Sequence, residues 1–430
     1  MKTYQVVKLG DVLKRNTKQI RIEDNQKYKQ VTVRLWGKGV QLRNEVYGHE
    51  IKSDSRYIVK SGQFIVSKID ARNGASGLIP EELDGAVITG DFLSFDINKD
   101  LILPEYLLWL SRSEWFIEQC VQASSGTTNR IRLNESKFLQ IEISLPNISE
   151  QAQIIRKIQD AVQIINNIDL VLTEQKQLTE NLRQSILQKA IQGHLVEQDP
   201  NDEPAAELLK RIREEKERLT KEKKIKKEKP LPPISPEEIP YELPKGWEWV
   251  RLDDVSTITM GQSPDGNSYN TEGRGVPLIN GPVEFGEKPF SETLKTKFTT
   301  EPTKMCNKGD ILICVRGSST GRMNIAGFDA CIGRGVAAIK PYIHAKYLQY
   351  FILLSQKDIL NSGKGSTFPN ISHDQLRSII LPLPPYNEQV RISAKIDELF
   401  NLCDKLDHHL QISMNENENL LKACLVSCFG

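Results

Sequence analysis

Two groupings of side chains in this sequence could do chemistry. One is a run of cations interleaved with amide and aromatic groups; the other is a set of glycine-rich loops carrying hydroxyls. From Lys2 to Lys60 bases outnumber acids, and Lys14, Arg15, Lys18, Arg21, Lys27, Lys29, Arg34, Lys38 and Arg43 alternate with Tyr28, Trp36, Gln41 and Asn44. Cations attract phosphate, and two-pronged Arg, Asn and Gln side chains match base edges, so this mixture suits a nucleic acid. The loop "KIDARNGASG" offers Lys68, Arg72 and Asn73, and "VRGSSTGR", at a corresponding place further on, offers Arg316, Ser318, Ser319, Thr320 and Arg322. "SSGTTNRI" and "GKGSTFPNI" form a second such pair. Glycine lets backbone approach a ligand closely, and hydroxyls donate or accept. Taken singly, each loop also fits an ordinary surface turn.

Catalytic patterns are imitated rather than present. "PPY" at Pro384 to Tyr386 resembles the amine-holding motif of amino-methyltransferases, but Leu383 stands where the polar residue belongs, and no FxGxG loop for a methyl donor occurs. "GKGST" at Gly363 to Thr367 lacks the order that sets a lysine over phosphates, and "GSSTGR" has no Gly-x-Ser-x-Gly elbow. The six histidines form no spaced pair with a carboxylate. Seven cysteines, without CxxC pairs, read as reduced and mostly buried small hydrophobes. Neither a catalytic residue nor a metal ligand is assigned.

The elements that hold these loops are written twice. "LPNISEQAQIIRKI" begins at Leu145 and "LPPYNEQVRISAKI" at Leu383, 238 positions later. The same offset carries Ile154, Ile158, Ile165, Ile168, Leu172 and Leu182 onto Ile392, Ile396, Cys403, Leu406, Leu410 and Leu420. Upstream, "VVKLGDV", "SGQFIVS" and "PEYLLWL" find counterparts in the same order in "WVRLDDV", "KGDILIC" and "AKYLQYF". Each copy is therefore expected to be a globule followed by a long helix. Short apolar runs bounded by Gly and Asp predict strands, while "EYLLWLSRSEWFIEQCVQ" and "KYLQYFILLSQKDILN" predict helix, giving a mixed α/β (α+β) body.

Pro146 and Pro384 mark the helix starts, with Ser149 or Asn387 as the expected N-cap and an acid in the first turn. Apolar positions then step by four and three along Ile154, Ile158, Ala161, Ile165, Ile168 and Leu172, and along Ile392, Ile396, Leu399, Cys403, Leu406 and Leu410, which makes a heptad seam. Gln175, Thr179, Ser413 and Asn417 predict a polar layer that fixes register. A repeat within one chain suggests a pseudo-two-fold with the two helices antiparallel. The competing reading packs each helix only on its own globule. Helices of about 40 residues would be about 60 Å long, enough to hold two globules one or more DNA turns apart.

Between the copies, Glu207 to Lys227 alternates acids and bases and predicts an exposed helix, and the proline-rich run after it predicts an extended connector. The expected divisions are 1–147, 148–195, 196–246, 247–384 and 385–430. With 57 basic and 56 acidic residues the net charge is +1, so any nucleic-acid surface must be local. No run of about 18 apolar residues could span a membrane, and the start lacks a secretion core, so a cytoplasmic protein is expected.

The whole chain, in the order globule, long helix, charged connector, globule, long helix, resembles the DNA specificity subunit of type I restriction-modification enzymes. The resemblance is carried by the two repeated stretches, by "SILQKAIQGHLVEQDPNDEPAAELLKRIREEKE" and "IPYELPKGWEWVRLDDV", and by "MGQSPDGNSYN", "LINGPVEF", "GDILICVRGSSTGR" and "CIGRGVAAI". It implies a non-catalytic subunit with two target recognition domains, each reading half of a bipartite, asymmetric site in double-stranded DNA. The paired helices would set the gap. The implied partners are two modification subunits carrying S-adenosylmethionine and restriction subunits using ATP and Mg, with no cofactor in this chain and no membrane. Base readout in the family lies in recognition-domain loops. That points to Gln262, Ser263, Tyr269, Asn280, Arg316, Ser318, Ser319, Thr320, Arg322, Arg334, Lys364, Ser366 and Thr367 in the second globule, and to Lys38, Arg43, Lys68, Arg72, Asn73, Thr127, Thr128, Asn129 and Arg130 in the first. Two alternatives stay open: a coiled-coil scaffold whose globules bind proteins, and a stand-alone DNA methyltransferase.

Overall fold

The computed structural model describes residues 4–126, 131–362 and 370–429. Thr127, Thr128, Asn129, Arg130, Lys364, Ser366 and Thr367 lie outside them. The chain divides into two compact units, Met1–Gln175 with His409–Gly430, and Lys176–His408.

In the first unit Phe64–Ser67 is central to a four-stranded antiparallel sheet ordered Leu13–Arg15, Phe92–Ile97, Phe64–Ser67, Ser76–Leu78. Its side chains alternate between two cores. Phe64 and Val66 pack with Leu107, Phe116 and Phe138 of the short helices, while Ile65 packs with Val31, Val33 and Ile88 of a second, five-stranded sheet. A strand covered on both faces needs apolar residues throughout, which is why "FIV" reads as a continuous run rather than an alternation. The five-stranded sheet is ordered Gln19–Arg21, Ser55–Ile58, Val87–Ile88, Lys27–Val33, Val40–Tyr47.

The second unit repeats this frame. Its four-stranded sheet runs Ser256–Met260, Val336–Pro341, Ile311–Cys314, Met323–Ile325. Ile311 and Ile313 face one core, and Leu312 and Cys314 face the other. The second sheet is ordered Tyr269–Asn270, Phe298–Thr299, Val276–Ile279, Ala330–Ile332, Met305–Cys306. In both units a strand from the start of the globule pairs antiparallel with one from its end, Gln5–Lys8 with Glu142–Leu145 and Glu248–Arg251 with Ile380–Leu383. A long helix follows at once: α1 is Ile148–Ile191, and after the connector helix α2, Ala205–Lys221, comes α3, Tyr386–Phe429.

Within the first unit Asn417 Nδ2 of α3 donates to Ile165 O of α1 at 3.0 Å and to Asp169 Oδ1 at 2.6 Å. Within the second, Arg183 of α1 bonds Asp407 at 2.9 Å and also Asp404, both on α3. Numbers rise along α1 as they fall along α3, so the pair is antiparallel. Ile158, Leu172, Ile392, Ile396, Cys403 and Leu410 are buried, Ile154, Ile165, Ile168 and Leu399 partly so. Helix pairing does not exclude packing on the globules, since Ile392, Ile396 and Cys403 share one core cluster with Ile186 and Leu187 of α1 and with Leu381 and Leu383.

Several expectations need correction. Leu406 is 44% exposed, and Leu182 and Leu420 are exposed too. A helix pair has one seam, and apolar spacing cannot say which of two apolar stripes faces it. The first long helix is capped by Asn147, whose Oδ1 accepts from Glu150 N at 3.0 Å, so Ser149 lies inside the helix. Asn387 is likewise inside α3. Each apolar helical stretch is two helices, Pro104–Leu110 with Glu114–Gln122 and Ala345–Leu354 with Gln356–Ser362. In the first pair the break is made by Ser113, whose hydroxyl caps Phe116 N.

The connector helix is shorter than expected and not exposed on all sides. Ala205, Leu208, Leu209 and Ile212 are buried in the second unit's core, and Lys216 Nζ donates to Ser256 O at 3.0 Å and to Asp253 O. The proline-rich run is held to the same globule. Buried Arg251 donates to Pro232 O at 3.1 Å, and buried Arg377 to Lys229 O at 2.8 Å.

Candidate nucleic-acid interface

In the second unit three separated stretches meet at the ends of the strands. Gly261 N donates to Val336 O at 2.9 Å, Gln262 N to Ile332 O at 3.0 Å and Gly333 N to Ile279 O at 2.9 Å. This places Gln262, Ser263, Asn280 and Arg334 side by side. Ser263 Oγ takes the Arg334 N–H at 3.2 Å and lies 3.4 Å from Asn280 Oδ1. Such closeness needs glycine at 333, where a Cβ would fall 1.9 Å from Asn280 Oδ1. The next loop starts beside them, as Val315 N donates to Gly335 O at 2.8 Å. On it Arg316 and Ser318 are exposed, Ser319 and Thr320 partly buried, and exposed Arg322 donates from Nη2 to Gly286 O at 3.0 Å. Tyr269, on an outer strand, donates its hydroxyl to Pro264 O at 3.2 Å, with Lys297 5.3 Å from its ring centre.

The matching place in the first unit is built differently. The hairpin of Lys27–Val33 and Val40–Tyr47 ends in residues 34–39, and its tip is bonded to the turn after Phe64–Ser67: Trp36 N to Asn73 O at 2.8 Å and Gly37 N to Gly74 O at 3.0 Å. Exposed Lys38 thus lies with half-buried Arg72 and Asn73, while Arg43 is exposed on the strand leaving the tip. Lys68 is half-buried, and its backbone joins Asp91 O and Leu133 N. Sequence reasoning missed Arg112, which packs under Gly37 and stacks on the Trp109 ring at 4.6 Å; nothing in its spacing marks it. Burial draws the Arg112 pKa below the usual guanidinium value.

Two glutamines that hold the globules to the helices were also missed. Gln151, fully buried, accepts the Leu103 N–H at 2.8 Å through Oε1 and donates through Nε2 to Leu101 O and Pro146 O, each at 2.9 Å. Gln389, also fully buried, accepts the His344 N–H at 2.9 Å and donates to Pro384 O at 2.8 Å. Leu103 and His344 each precede a helix in the globule, so one amide ties the globule to the first turn of its long helix. Their signal was the 238-residue offset, which they obey.

Among the described residues no group of three His, Cys, Asp or Glu side chains is placed to hold a metal ion, and no helix is long and apolar enough to cross a membrane. All seven cysteines are free, five of them buried.

A duplicated α/β frame, paired helices and polar loops gathered at strand ends define a class. The chain belongs to the family described as type I restriction modification DNA specificity domain, which matches residues 1–180 and 244–416. Among its relatives, the type I restriction enzyme EcoAI specificity subunit of Escherichia coli is 31% identical over 296 residues, 66% of this chain and 50% of that protein. The putative type I restriction enzyme MjaX specificity subunit of Methanocaldococcus jannaschii is 30% identical, over 75% of this chain and 68% of the relative. The chain thus spans about half to two thirds of the length of these curated relatives. In fold it is similar to a chain of a type I restriction-modification system, with TM-score 0.68, 24% identity and coverage of 100% and 98% of the two chains. The HsdS subunit from Thermoanaerobacter tengcongensis gives 0.59 at 24% identity, over 99% and 96%.

Proposed function

We propose that this chain is the DNA-reading, non-catalytic subunit of a type I restriction-modification enzyme. Each globule reads one half of a bipartite, asymmetric site, and the two long helices set the interval. At 44 residues each helix rises about 66 Å, close to two DNA turns of about 34 Å. The working divisions are 1–147 and 247–384 for reading, 148–195 and 385–430 for the helices, and 196–246 for the connector. Two modification subunits binding S-adenosylmethionine would methylate adenine, and restriction subunits would use ATP and Mg to translocate and cleave, in the cytoplasm.

The observation that carries the reading is that equivalent places in a repeated frame bear different polar groups. After Val276–Ile279 and Ile311–Cys314 of one unit stand Asn280, Arg316 and Ser318; after the matching strands of the other, Lys27–Val33 and Phe64–Ser67, stand Lys38 on a hairpin tip and Arg72 and Asn73 on the turn bonded to it. A common scaffold with unlike tips suits two unlike half-sites. The test assembles the chain with its modification subunits and measures binding and adenine methylation on duplexes altered in one half at a time, across a salt series. Several phosphate contacts predict a steep fall in affinity with salt. Exchange of 247–384 for a relative's globule should change one half only. Weak, salt-insensitive binding, or a change in both halves, would sink the reading.

A further inference from the structure

Trp36 stands at the hairpin tip of the first unit, 67% exposed, with φ +59°. Bulky side chains rarely adopt that left-handed conformation, and here it is imposed by the two backbone bonds from Trp36 and Gly37 to the turn carrying Arg72 and Asn73. The tip, Arg34 to Gly39, holds two cations and no acid. Under it Arg112 approaches so closely that a Cβ on Gly37, at φ +66°, would lie 2.8 Å from Arg112 Cγ. The Nε atoms of both Arg112 and Arg72 are buried without a hydrogen-bond partner. A buried donor nitrogen without a partner is costly, and an incoming anion that drew the guanidinium toward it would offset part of that cost. An aromatic fixed outward over two guanidinium groups that each keep an unpartnered N–H fits a base stack flanked by phosphates. It fits an apolar protein groove less well.

We propose that Trp36 stacks against a base step of the first half-site, with Arg72 and Arg112 turned toward the flanking phosphates. The inference rests on the DNA-reading function above and deepens it: one half-site is read partly by insertion, the other by a cluster of amide, hydroxyl and guanidinium groups. Stacking tolerates many bases, so Trp36 contributes affinity and local distortion more than base choice.

The experiment uses the full chain assembled with its modification subunits and duplexes bearing 2-aminopurine across the first half-site. Wild type should change the probe's fluorescence at one step. Trp36→Ala should abolish that change and weaken binding about ten- to a hundredfold, while Trp36→Phe keeps most of both. Trp36→Gly should lose binding equally yet melt no lower than wild type, because glycine relieves the positive φ. If Trp36→Ala binds within twofold of wild type, or loses only its hold on the modification subunits, the stacking role is overturned. If wild type itself prefers no DNA site, the reading function fails and takes this inference with it; discrimination by wild type with an unimpaired Trp36→Ala removes the inference alone.

Discussion

In the first unit the strand beside Val87–Ile88 extends into a hairpin of seven and eight residues, Lys27–Val33 and Val40–Tyr47. In the second, the strand beside Ala330–Ile332 is only Val276–Ile279, followed by the two-residue Phe298–Thr299. One layer away the difference vanishes. Both four-stranded sheets have the same order, the same antiparallel pairing and the same division of apolar residues between two cores. Much of the variation thus lies in the five-stranded sheet and in the loops at the strand ends. Strand ends and hairpin tips there can change without disturbing the sheet that buries the core or the amides that fix the junction.

The largest effects are expected at the junctions. Gln151→Leu and Gln389→Leu each leave buried backbone groups without partners, and each should cost about 2–4 kcal/mol in its own unit. Hydrogen exchange at the amides of Leu103 and His344 would report it; an effect in one unit only would deny that the frame is functionally repeated. A step smaller, Asn417→Ala should destabilise the helix pair of the first unit by about 1–2 kcal/mol through loss of its bonds to Asp169 and Ile165. Denaturant melts followed by exchange across 158–172 would measure it. In the second unit Asp407, at the position that matches Asp169, pairs with Arg183, which also bonds Asp404, 65% exposed. Arg183→Met should therefore cost at most about 1 kcal/mol, and the loss should shrink in high salt. An equal, salt-independent loss would show the two helix contacts to be alike after all.

The smallest effect separates the junctions by pH. Burial, with help from Lys346 and against Asp397, holds the His344 imidazole below its ordinary value of 6.5. Just under that pH the unfolded chain binds more protons than the folded one, so the second junction weakens as pH falls through it. Leu103, at the matching place, has nothing to titrate. Buried Glu388 is raised and works in the opposite direction at lower pH, so the comparison is read close to neutrality. Exchange at His344 should rise with acid relative to Leu103, and His344→Leu should flatten the response.

The repeat, the long helices, their antiparallel pairing and much of the seam were legible because a heptad spacing and a constant offset leave few other arrangements. Leu406 shows where that logic stops, since spacing defines a stripe but not what covers it. The burial of α2 had a signal that its charges obscured: Ala205, Leu208, Leu209 and Ile212 form a regular i, i+3, i+4, i+7 face. At the candidate interface the loops could be named but not assembled. Asn280 and Arg334 are 54 positions apart, and only the parallel pairing of Val276–Ile279 with Ala330–Ile332 brings them together. Arg112 could not be found, because its role depends on a hairpin tip some 75 residues earlier.

The division of the chain also dictates an order of birth. Residues 176–408 are one unbroken segment, whereas the first unit needs residues 409–430 as well as 1–175. At about 5–20 residues per second on the ribosome, the intervening 233 residues take roughly 10–50 s to make. Through that interval the greasy side of Ile158, Ile165 and Leu172 has no covering strand of helix from Leu410 to Phe429. The second unit can be finished while the first still stands open. A frameshift beyond residue 408 would accordingly spare the later-coded unit and cripple the earlier one.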